Sequence, residues 1–315
     1  WAVELTGEKV ESLAVLNNTG DTDKYRFYRP QGVAIDNNPE SDFFGRMYIA
    51  YPEDNGVTVH KEGIVVFDPL HKSLKSTSIK PTGVGAFSNG QYQMHRIAVN
   101  PVNNKVYYTK SMTGTAIYEM TPDATNVLSD GGTAKNVISG ITAITNANSL
   151  CFDEEGTMYV LANANYSGGY TGKIYKVSNG TATEFTTQSY DWAAKDNAIV
   201  SDGRGGFWVA QHREDFGSED VLSHINSVGV RDFYVDKNTN ANLLVTAAAT
   251  SGKTNASYRG QIAYYQIDTN TGILAFGGGK VVSLFNVSYS SDGVPTLEKL
   301  TKTGTIGTNI DGLAF

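Results

Sequence analysis

The sequence is poor in residues that carry several common kinds of chemistry. Cys151 is the one cysteine among 315 residues, which excludes an internal disulfide and a zinc site built from cysteines. Only 18% of the residues are charged, and no apolar run reaches the ~20 residues that a membrane-spanning helix needs. Acidic residues outnumber basic ones by 32 to 25, so a net charge of −7 provides no general attraction for nucleic acid. We therefore predict neither a nucleic-acid partner nor a transmembrane segment.

Residues typical of short strands and tight turns are abundant. The chain contains 33 glycines, 18 tyrosines and 13 phenylalanines. Aromatic and β-branched runs separated by Gly, Asn and Asp indicate many short strands. No run of ten or more residues has the helical period of apolar side chains. These features predict an all-β chain that forms a single domain over residues 1–315.

One short phrase recurs along the whole chain. It consists of a polar residue, an apolar run, usually an Asp or Asn, a tight turn, and a second apolar run. The first halves of its copies are QGVAID at 31–36, HRIAVN at 95–100, NSLCFD at 148–153, NAIVSD at 197–202, GQIAYYQID at 260–268 and DGLAF at 311–315. Apolar runs without strict alternation predict strands that are buried on both faces.

The spacing of the copies predicts how the strands are grouped. Neighbouring copies lie roughly 50 to 65 residues apart, and most are followed by a third and a fourth strand-like run. One four-stranded sheet per repeat is the unit of a β-propeller, and six copies predict six blades. The sixth copy ends after one strand, so we expect the strand-like runs at 2–5 and 10–15 to pair with it and close the last blade. A run at 242–248 is an alternative fifth inner strand, although the spacing favours 261–268.

These repeats also resemble a known family. The phrases at 30–36, 47–50 and 309–315 are similar to the repeats of NHL-type six-bladed β-propellers, and the resemblance extends to the SMP-30/gluconolactonase-like group. It covers the first strands of the whole chain and implies a bacterial protein that is secreted, periplasmic or attached to the cell surface. The chain begins at Trp1 and not at methionine, which we interpret as a processed or trimmed product.

Polar residues stand at or next to the start of most predicted first strands. In a propeller such positions surround one mouth of the central channel, so we predict a ligand site there. The entering loops add aromatic rings, and rings beside amide and carboxylate groups suit a carbohydrate or a peptide. The predicted site consists of Gln31, His95, Arg96, Asn148, Asn197, Arg259, Asp311, Tyr28, Tyr92, Trp192 and Tyr258.

The same residues leave two other interpretations open. Polar side chains at the mouth also satisfy buried backbone groups and channel water, in which case they bind no ligand. The protein would then be a structural platform that binds another protein through blade edges or outer loops. We favour a binding or scaffolding module without catalysis, whose partner is a small molecule, a glycan or a protein.

The family resemblance implies a further alternative, a metal-dependent lactonase or hydrolase. That group holds a divalent metal with a Glu, two Asn and an Asp, and Asn148, Asn197 and Asp311 have suitable types for a calcium ion. Gln31 stands where the family has Glu, which removes one negative charge from the site. With His95 and Arg96 nearby, a single carboxylate is expected to bind a dication weakly.

Other sequence motifs are incomplete. The run SGKT at 251–254 resembles the end of a phosphate-binding loop, but Ala247 stands where its first glycine is required. The Gly-x-Ser-x-Gly motif of serine hydrolases does not occur. The remaining histidines show no metal spacing and are predicted to be surface or strand-edge residues: His60, His71, His212 and His224.

Overall fold

The computed structural model describes the strands and many of their connecting turns. It covers residues 2–3, 10–11, 32–51, 63–68, 73–74, 96–109, 117–122, 134–136, 147–163, 172–191, 197–213, 219–236, 261–278, 281–300, 304–305 and 314–315. All regular elements in these ranges are β-strands, as the sequence predicts. Within the same ranges, no helix is long and apolar enough to cross a membrane.

Most strands belong to five antiparallel sheets, numbered here I to V in chain order. Two short strands, β1 (Ala2–Val3) and β2 (Val10–Glu11), precede them and pair with each other. Sheet I contains β3 (Gly32–Ile35), β4 (Met47–Tyr51), β5 (Gly63–Asp68) and β6 (Ser73–Leu74). Sheet II contains β7 (Ile97–Val99), β8 (Val106–Thr109), β9 (Ile117–Met120) and β10 (Ala134–Asn136).

The next three sheets repeat this pattern. Sheet III contains β11 (Ala147–Phe152), β12 (Met158–Asn163), β13 (Gly172–Ser178) and β14 (Thr181–Glu184). Sheet IV contains β15 (Asn197–Ser201), β16 (Phe207–Arg213), β17 (Glu219–Ile225) and β18 (Arg231–Val235). Sheet V contains β19 (Gln261–Gln266), β20 (Thr271–Gly278), β21 (Val281–Tyr289) and β22 (Pro295–Lys299), and β23 (Gly304–Thr305) also pairs with β21.

The first strands of successive sheets lie side by side. Within each sheet the first four strands follow one another in chain order, so they form a simple meander. Across sheets, β3 contacts β7, β7 contacts β11, β11 contacts β15, and β15 contacts β19. The first strands therefore form the inside of the assembly, and the later strands of each sheet extend outward from it. This is a propeller-like arrangement, as the repeat spacing predicts.

Alternate side chains of a strand pack against different neighbouring sheets. Tyr108 packs with Ala34 and Tyr48 in the core between sheets I and II, whereas the adjacent Tyr107 packs with Leu150 in the core between sheets II and III. Further cores lie between sheets III and IV and between sheets IV and V. Because both faces of the inner sheets are buried, their strands consist of nearly continuous apolar runs instead of alternating ones.

An Asp or Asn closes the turn that follows each first strand of sheets I to V. In these turns a side-chain oxygen accepts hydrogen bonds from backbone N–H groups two to four residues further on, the Asx-turn geometry for which these residues are suited. The residues concerned are Asp36, Asn100, Asp153, Asp202 and Asp268. The recurring Asp or Asn of the sequence phrase is thus a turn-forming residue.

Two sequence predictions about sheet order are partly resolved. The fifth sheet begins at β19, which agrees with the preferred position at 261–268; the run at 242–248 lies outside the described residues. The N-terminal strands β1 and β2 pair with each other, while their predicted pairing with the C-terminal strand involves residues 311–313, which are also outside the described part.

Candidate functional site

The two ends of the first strands differ in what they place near the axis. We call the end where the first strands begin the mouth end, and the end where they turn into the second strands the turn end. All five first strands run in the same direction, because the turns that follow them meet at one end of the assembly. Asn38 bonds to Pro101, Asn100 bonds to Gly156, and Arg204 bonds to Asn270. Between sheets III and IV, a Cβ at Gly203 would lie 3.2 Å from Glu154 Oε1. Residues that begin β7, β11, β15 and β19 therefore gather at the mouth end.

Two polar side chains from distant sheets meet at the mouth end. Arg96 directly precedes β7 of sheet II, and Gln261 is the first residue of β19 in sheet V. The Arg96 Nη1 donates a hydrogen bond to Gln261 Oε1 at 2.5 Å, across 165 residues of sequence and past the whole of sheets III and IV. Both residues are buried, with 4% and 3% of their surfaces exposed. This contact shows that strand starts of non-adjacent sheets converge.

Backbone hydrogen bonds hold Arg96 in place. Its N–H donates to Thr109 Oγ1 at 3.2 Å, and its carbonyl accepts from the Thr109 N–H at 2.9 Å. Thr109 is itself fully buried at the end of β8. The backbone at Arg96 is therefore anchored to the second strand of its own sheet, while its guanidinium reaches sheet V.

Asn148 and Ser149 occupy the mouth end of sheet III. The register of β11 against β12 shifts between Ala147 and Ser149, so Asn148 lies at a β-bulge. A bulge changes the direction of a side chain relative to the regular pleat. Asn148 is 1% exposed, and the neighbouring Ser149 Oγ accepts a hydrogen bond from the Ile199 N–H of sheet IV at 3.2 Å. Polar side chains here link adjacent first strands.

The structure locates three of the residues that the sequence predicts for the site. Arg96 and Asn148 are buried at the mouth end, and Asn197 is the first residue of β15, paired with Gln211. The structure therefore brings Arg96, Asn148 and Asn197 to the same end of the assembly. The other predicted site residues lie outside the described part of the chain: Gln31, His95, Arg259, Asp311, Tyr28, Tyr92, Trp192 and Tyr258.

Gln261 was missed by the sequence analysis, which chose Arg259 for this sheet. The signal was present, because Gln261 is a polar residue directly before the apolar pair Ile262 and Ala263. The fifth copy of the repeat has a longer first run than the others, which displaced the predicted position by two residues. Its contact with Arg96 depends on the packing of sheets and could not be predicted from the local sequence.

The structure contradicts the prediction that His224 lies at the surface or at a strand edge. His224 is 1% exposed and belongs to β17, a strand with neighbours on both sides. Its Nε2 lies 2.9 Å from Asp202 Oδ2 and its Nδ1 lies 2.7 Å from Asp232 Oδ1. The isolated position of His224 in the sequence gave no signal of either carboxylate, because they belong to a turn and to another strand.

The electrostatics of the His224 cluster follow from burial and from its two carboxylate partners. Burial alone lowers the pKa of an imidazole, because it disfavours the charged form. The hydrogen bonds and negative charges of Asp202 and Asp232 outweigh this effect and raise the pKa of His224 above its usual 6.5. The cluster packs against the rings of Trp208 and Tyr289, so it is a buried structural network and is not part of the mouth end.

The acidic, imidazole and thiol groups of the described residues do not gather into a metal site. Among these residues, no group of three or more His, Cys, Asp or Glu side chains could hold a metal ion. Of the predicted calcium ligands, Asn148 alone has a described side chain, and the guanidinium of Arg96 lies at the same end of the assembly. A positive charge there opposes the binding of a dication nearby.

Comparisons with known proteins support the fold and leave the family open. No protein-family model and no curated protein matches the sequence. Among solved structures, the PQQ-bound aldose sugar dehydrogenase from Streptomyces coelicolor is 15% identical, with a TM-score of 0.55 over 92% of this chain and 86% of that one. A luciferin-regenerating enzyme is 11% identical, with a TM-score of 0.52 over 93% of this chain and 81% of that one.

A binding protein has a similar fold. The auxiliary nutrient binding protein from Bacteroides ovatus is 12% identical, with a TM-score of 0.52 over 92% of this chain. The present chain spans 64% of the length of that protein. At such identities the likeness shows the fold alone. The propeller type of architecture is thus confirmed, whereas the NHL type of repeat and the number of six blades stay predictions.

Proposed function

We propose that this protein is an extracytoplasmic six-bladed β-propeller that binds a small molecule, a glycan or a peptide at the mouth end. The observation that carries the proposal is the contact between Arg96 and Gln261. Burying polar groups from separate sheets at one point costs free energy unless their hydrogen bonds are satisfied. Convergent polar groups at the concave end of a propeller are what a ligand site requires.

The face of sheet V that points away from sheet IV supports the presence of a sixth blade. The face of sheet V that points away from sheet IV carries the buried residues Ala263, Ala275, Val282 and Leu284. Phe315, from the sixth copy of the repeat, packs against this face, and its ring lies 6.2 Å from that of Tyr265. A sixth sheet in this position would account for the burial of this face and bring the last copy of the repeat beside β19.

Ligand binding, the function proposed for this chain, is also the function named for one protein of similar fold. The Bacteroides protein is described as a nutrient-binding protein. Binding at the mouth end needs no charged catalytic group, and it fits the buried amide of Asn148 and the aromatic residues predicted in the entering loops. The second candidate of the sequence analysis, a calcium-dependent lactonase, is less favoured because Arg96 and at most one carboxylate would face the cation.

The test is a binding screen of the full chain with a matched pair of variants. Isothermal titration calorimetry would measure binding of mono- and oligosaccharides and short peptides to the wild type, to Asn148→Ala and to Asn103→Ala. Asn148 lies at the mouth end, whereas Asn103 is an exposed residue of a turn-end loop. Loss of a buried hydrogen bond to the ligand is expected to weaken binding about tenfold in Asn148→Ala and not in Asn103→Ala.

The outcomes separate the candidate functions. Failure of every compound to bind saturably, or equal weakening by both variants, would contradict binding at the mouth end. A rise in melting temperature with millimolar calcium that Asp311→Asn abolishes would favour the metal-dependent alternative. If a protein partner is captured and Trp192→Ala and Asn197→Ala leave its binding intact, the structural-platform alternative is favoured instead.

A further inference from the structure

The contact with Arg96 determines which end of the Gln261 amide is available. A guanidinium has five N–H donors and no acceptor, so it can bond only to the oxygen of an amide. The Arg96 Nη1 donates to Gln261 Oε1, and the Nε2 of the amide must therefore point elsewhere. Hydrogen bonding alone assigns the oxygen and the nitrogen of this amide. In the reversed orientation the amide NH₂ would face the N–H donors of Arg96, and no hydrogen bond could form.

The remaining end of the amide is a buried donor for which no described residue supplies an acceptor. Gln261 is 3% exposed, and its Nε2 has no hydrogen-bond partner among the residues that the structure describes. A buried donor left unpaired costs free energy, and such groups are uncommon unless a role requires them. Gln261 stands at the start of β19, at the mouth end, where a ligand would supply the acceptor.

The chemistry of this ligand follows from the donors that face it. Arg96 offers donors alone, and its guanidinium places a positive charge beside the Gln261 amide. The positive charge of Arg96 favours an anionic ligand over a neutral one at this position. A carboxylate accepts hydrogen bonds without donating any, and charge-assisted bonds to it are stronger than neutral ones.

We propose that Gln261 determines the specificity of the mouth end for a carboxylate-bearing small molecule, with Arg96 as the positioning residue that orients its amide. This inference rests on the proposed function, since it concerns the ligand of the same site. It assigns the direct ligand contact to Gln261 Nε2. Arg96 acts through the amide and fixes it as a donor toward the ligand.

The central variant is Gln261→Glu. A glutamate has nearly the same shape and keeps an acceptor for Arg96, so the contact between sheets II and V is retained. It replaces the Nε2 donor by a second acceptor oxygen, which opposes a ligand carboxylate. Gln188→Glu is the matched control, because it makes the same change of charge at an exposed position in the bend that follows β14.

The experiment uses two sugars that differ at one carbon, D-glucuronate and D-glucose, together with acetate as the simplest carboxylate. ¹⁵N-labelled full chain is titrated with each compound, and the Gln261 side-chain NH₂ signal is assigned by its absence in Gln261→Glu. We expect D-glucuronate and acetate to shift this signal in the wild type. We also expect D-glucuronate to bind at least about tenfold more tightly than D-glucose, and about tenfold more weakly to Gln261→Glu than to the wild type.

Each outcome has a definite meaning. If the Gln261 NH₂ signal does not respond to D-glucuronate or acetate, or if Gln261→Glu and Gln188→Glu weaken binding equally, the assignment of Gln261 is overturned. If a neutral sugar or a peptide binds at the mouth end without moving that signal, this inference fails while the proposed function stands. An unchanged melting temperature of Gln261→Glu with lost binding separates a ligand contact from a purely structural role.

Discussion

The turn end and the mouth end of the first strands use polar residues in different ways. At the turn end, each Asp or Asn bonds to the backbone of its own turn, and side chains join the turns of sheets I and II, of sheets II and III, and of sheets IV and V. Asn38 Nδ2 donates to Pro101 O at 3.0 Å, and Asn100 Nδ2 donates to Gly156 O at 2.9 Å. At the mouth end, Arg96 and Gln261 bond across the assembly, and one buried donor has no partner in the described part of the chain.

The difference indicates that the two ends serve different purposes. The bonds of the turn end satisfy backbone groups that would otherwise be unpaired, and they link successive sheets, so they contribute to stability. The arrangement at the mouth end is not optimal for stability, because an unpaired buried donor is costly. Unfavourable arrangements of this kind are expected where a protein binds a ligand. Substitutions at the turn end should therefore affect folding, and those at the mouth end should affect binding.

The largest loss of stability is predicted for Asp202→Ala at the turn end. Asp202 Oδ1 accepts from the N–H groups of Arg204 and Gly206, and its Oδ2 bonds to His224 in the same buried region. Removing the carboxylate leaves backbone donors unpaired and takes one partner from a buried imidazole. We expect a decrease of ~3–5 kcal/mol in the free energy of unfolding, measured by urea denaturation.

The matched control for this prediction is Asp268→Ala. Asp268 forms the same kind of turn in sheet V, with bonds from the N–H groups of Asn270 and Thr271, but it is exposed and bonds to no histidine of the described residues. Its replacement should destabilise the protein much less than that of Asp202. Equal losses for the two variants would mean that the buried network adds nothing to an ordinary Asx turn.

Two glycines with the same backbone conformation test whether contact between turns matters. Gly156 and Gly180 have φ values of +78° and +76°, so alanine is strained at both positions. A Cβ at Gly156 would lie 2.8 Å from Asn100 Oδ1 and 3.0 Å from Val102 Cγ2, whereas one at Gly180 meets nothing within 4 Å. We expect Gly180→Ala to cost ~1–2 kcal/mol for strain alone and Gly156→Ala ~1–3 kcal/mol more.

Thermal and urea unfolding of both glycine variants provide the measurement. The difference between them isolates the close approach of the turns of sheets II and III, because the strain of positive φ is common to both. If the two variants lose the same stability, the turns of sheets II and III are not packed as closely as the structure indicates. Contacts between turns would then contribute little to the stability of the protein.

The sequence could predict local features of both ends but not the contacts between distant sheets. The repeated Asp or Asn was visible because an Asx turn bonds within four residues, as in the turn closed by Asp153. The inner strands were visible because burial on both faces makes their runs apolar. The bond between Arg96 and Gln261 joins residues that are 165 positions apart in the sequence. It forms only because the packing of sheets II to V brings the starts of β7 and β19 together. His224 was misjudged for the same reason, since its partners are brought together by the folding of sheet IV.

The smallest predicted effect is a pH dependence of stability that belongs to His224. The folded state raises the pKa of His224 above 6.5, so the folded protein holds this proton more tightly than the unfolded chain does. The resulting stabilisation is fully present below about pH 6.5 and is lost as the pH rises through the folded-state pKa.

Gln at position 224 keeps hydrogen-bonding capacity but does not titrate. The difference in unfolding free energy between the wild type and His224→Gln, measured by urea denaturation from pH 5.5 to 9, should therefore decrease with rising pH. Other titrating groups cancel in this difference. A difference that stays constant or grows with pH would mean that His224 is neutral in the folded protein, and the cluster would then be an uncharged hydrogen-bond network.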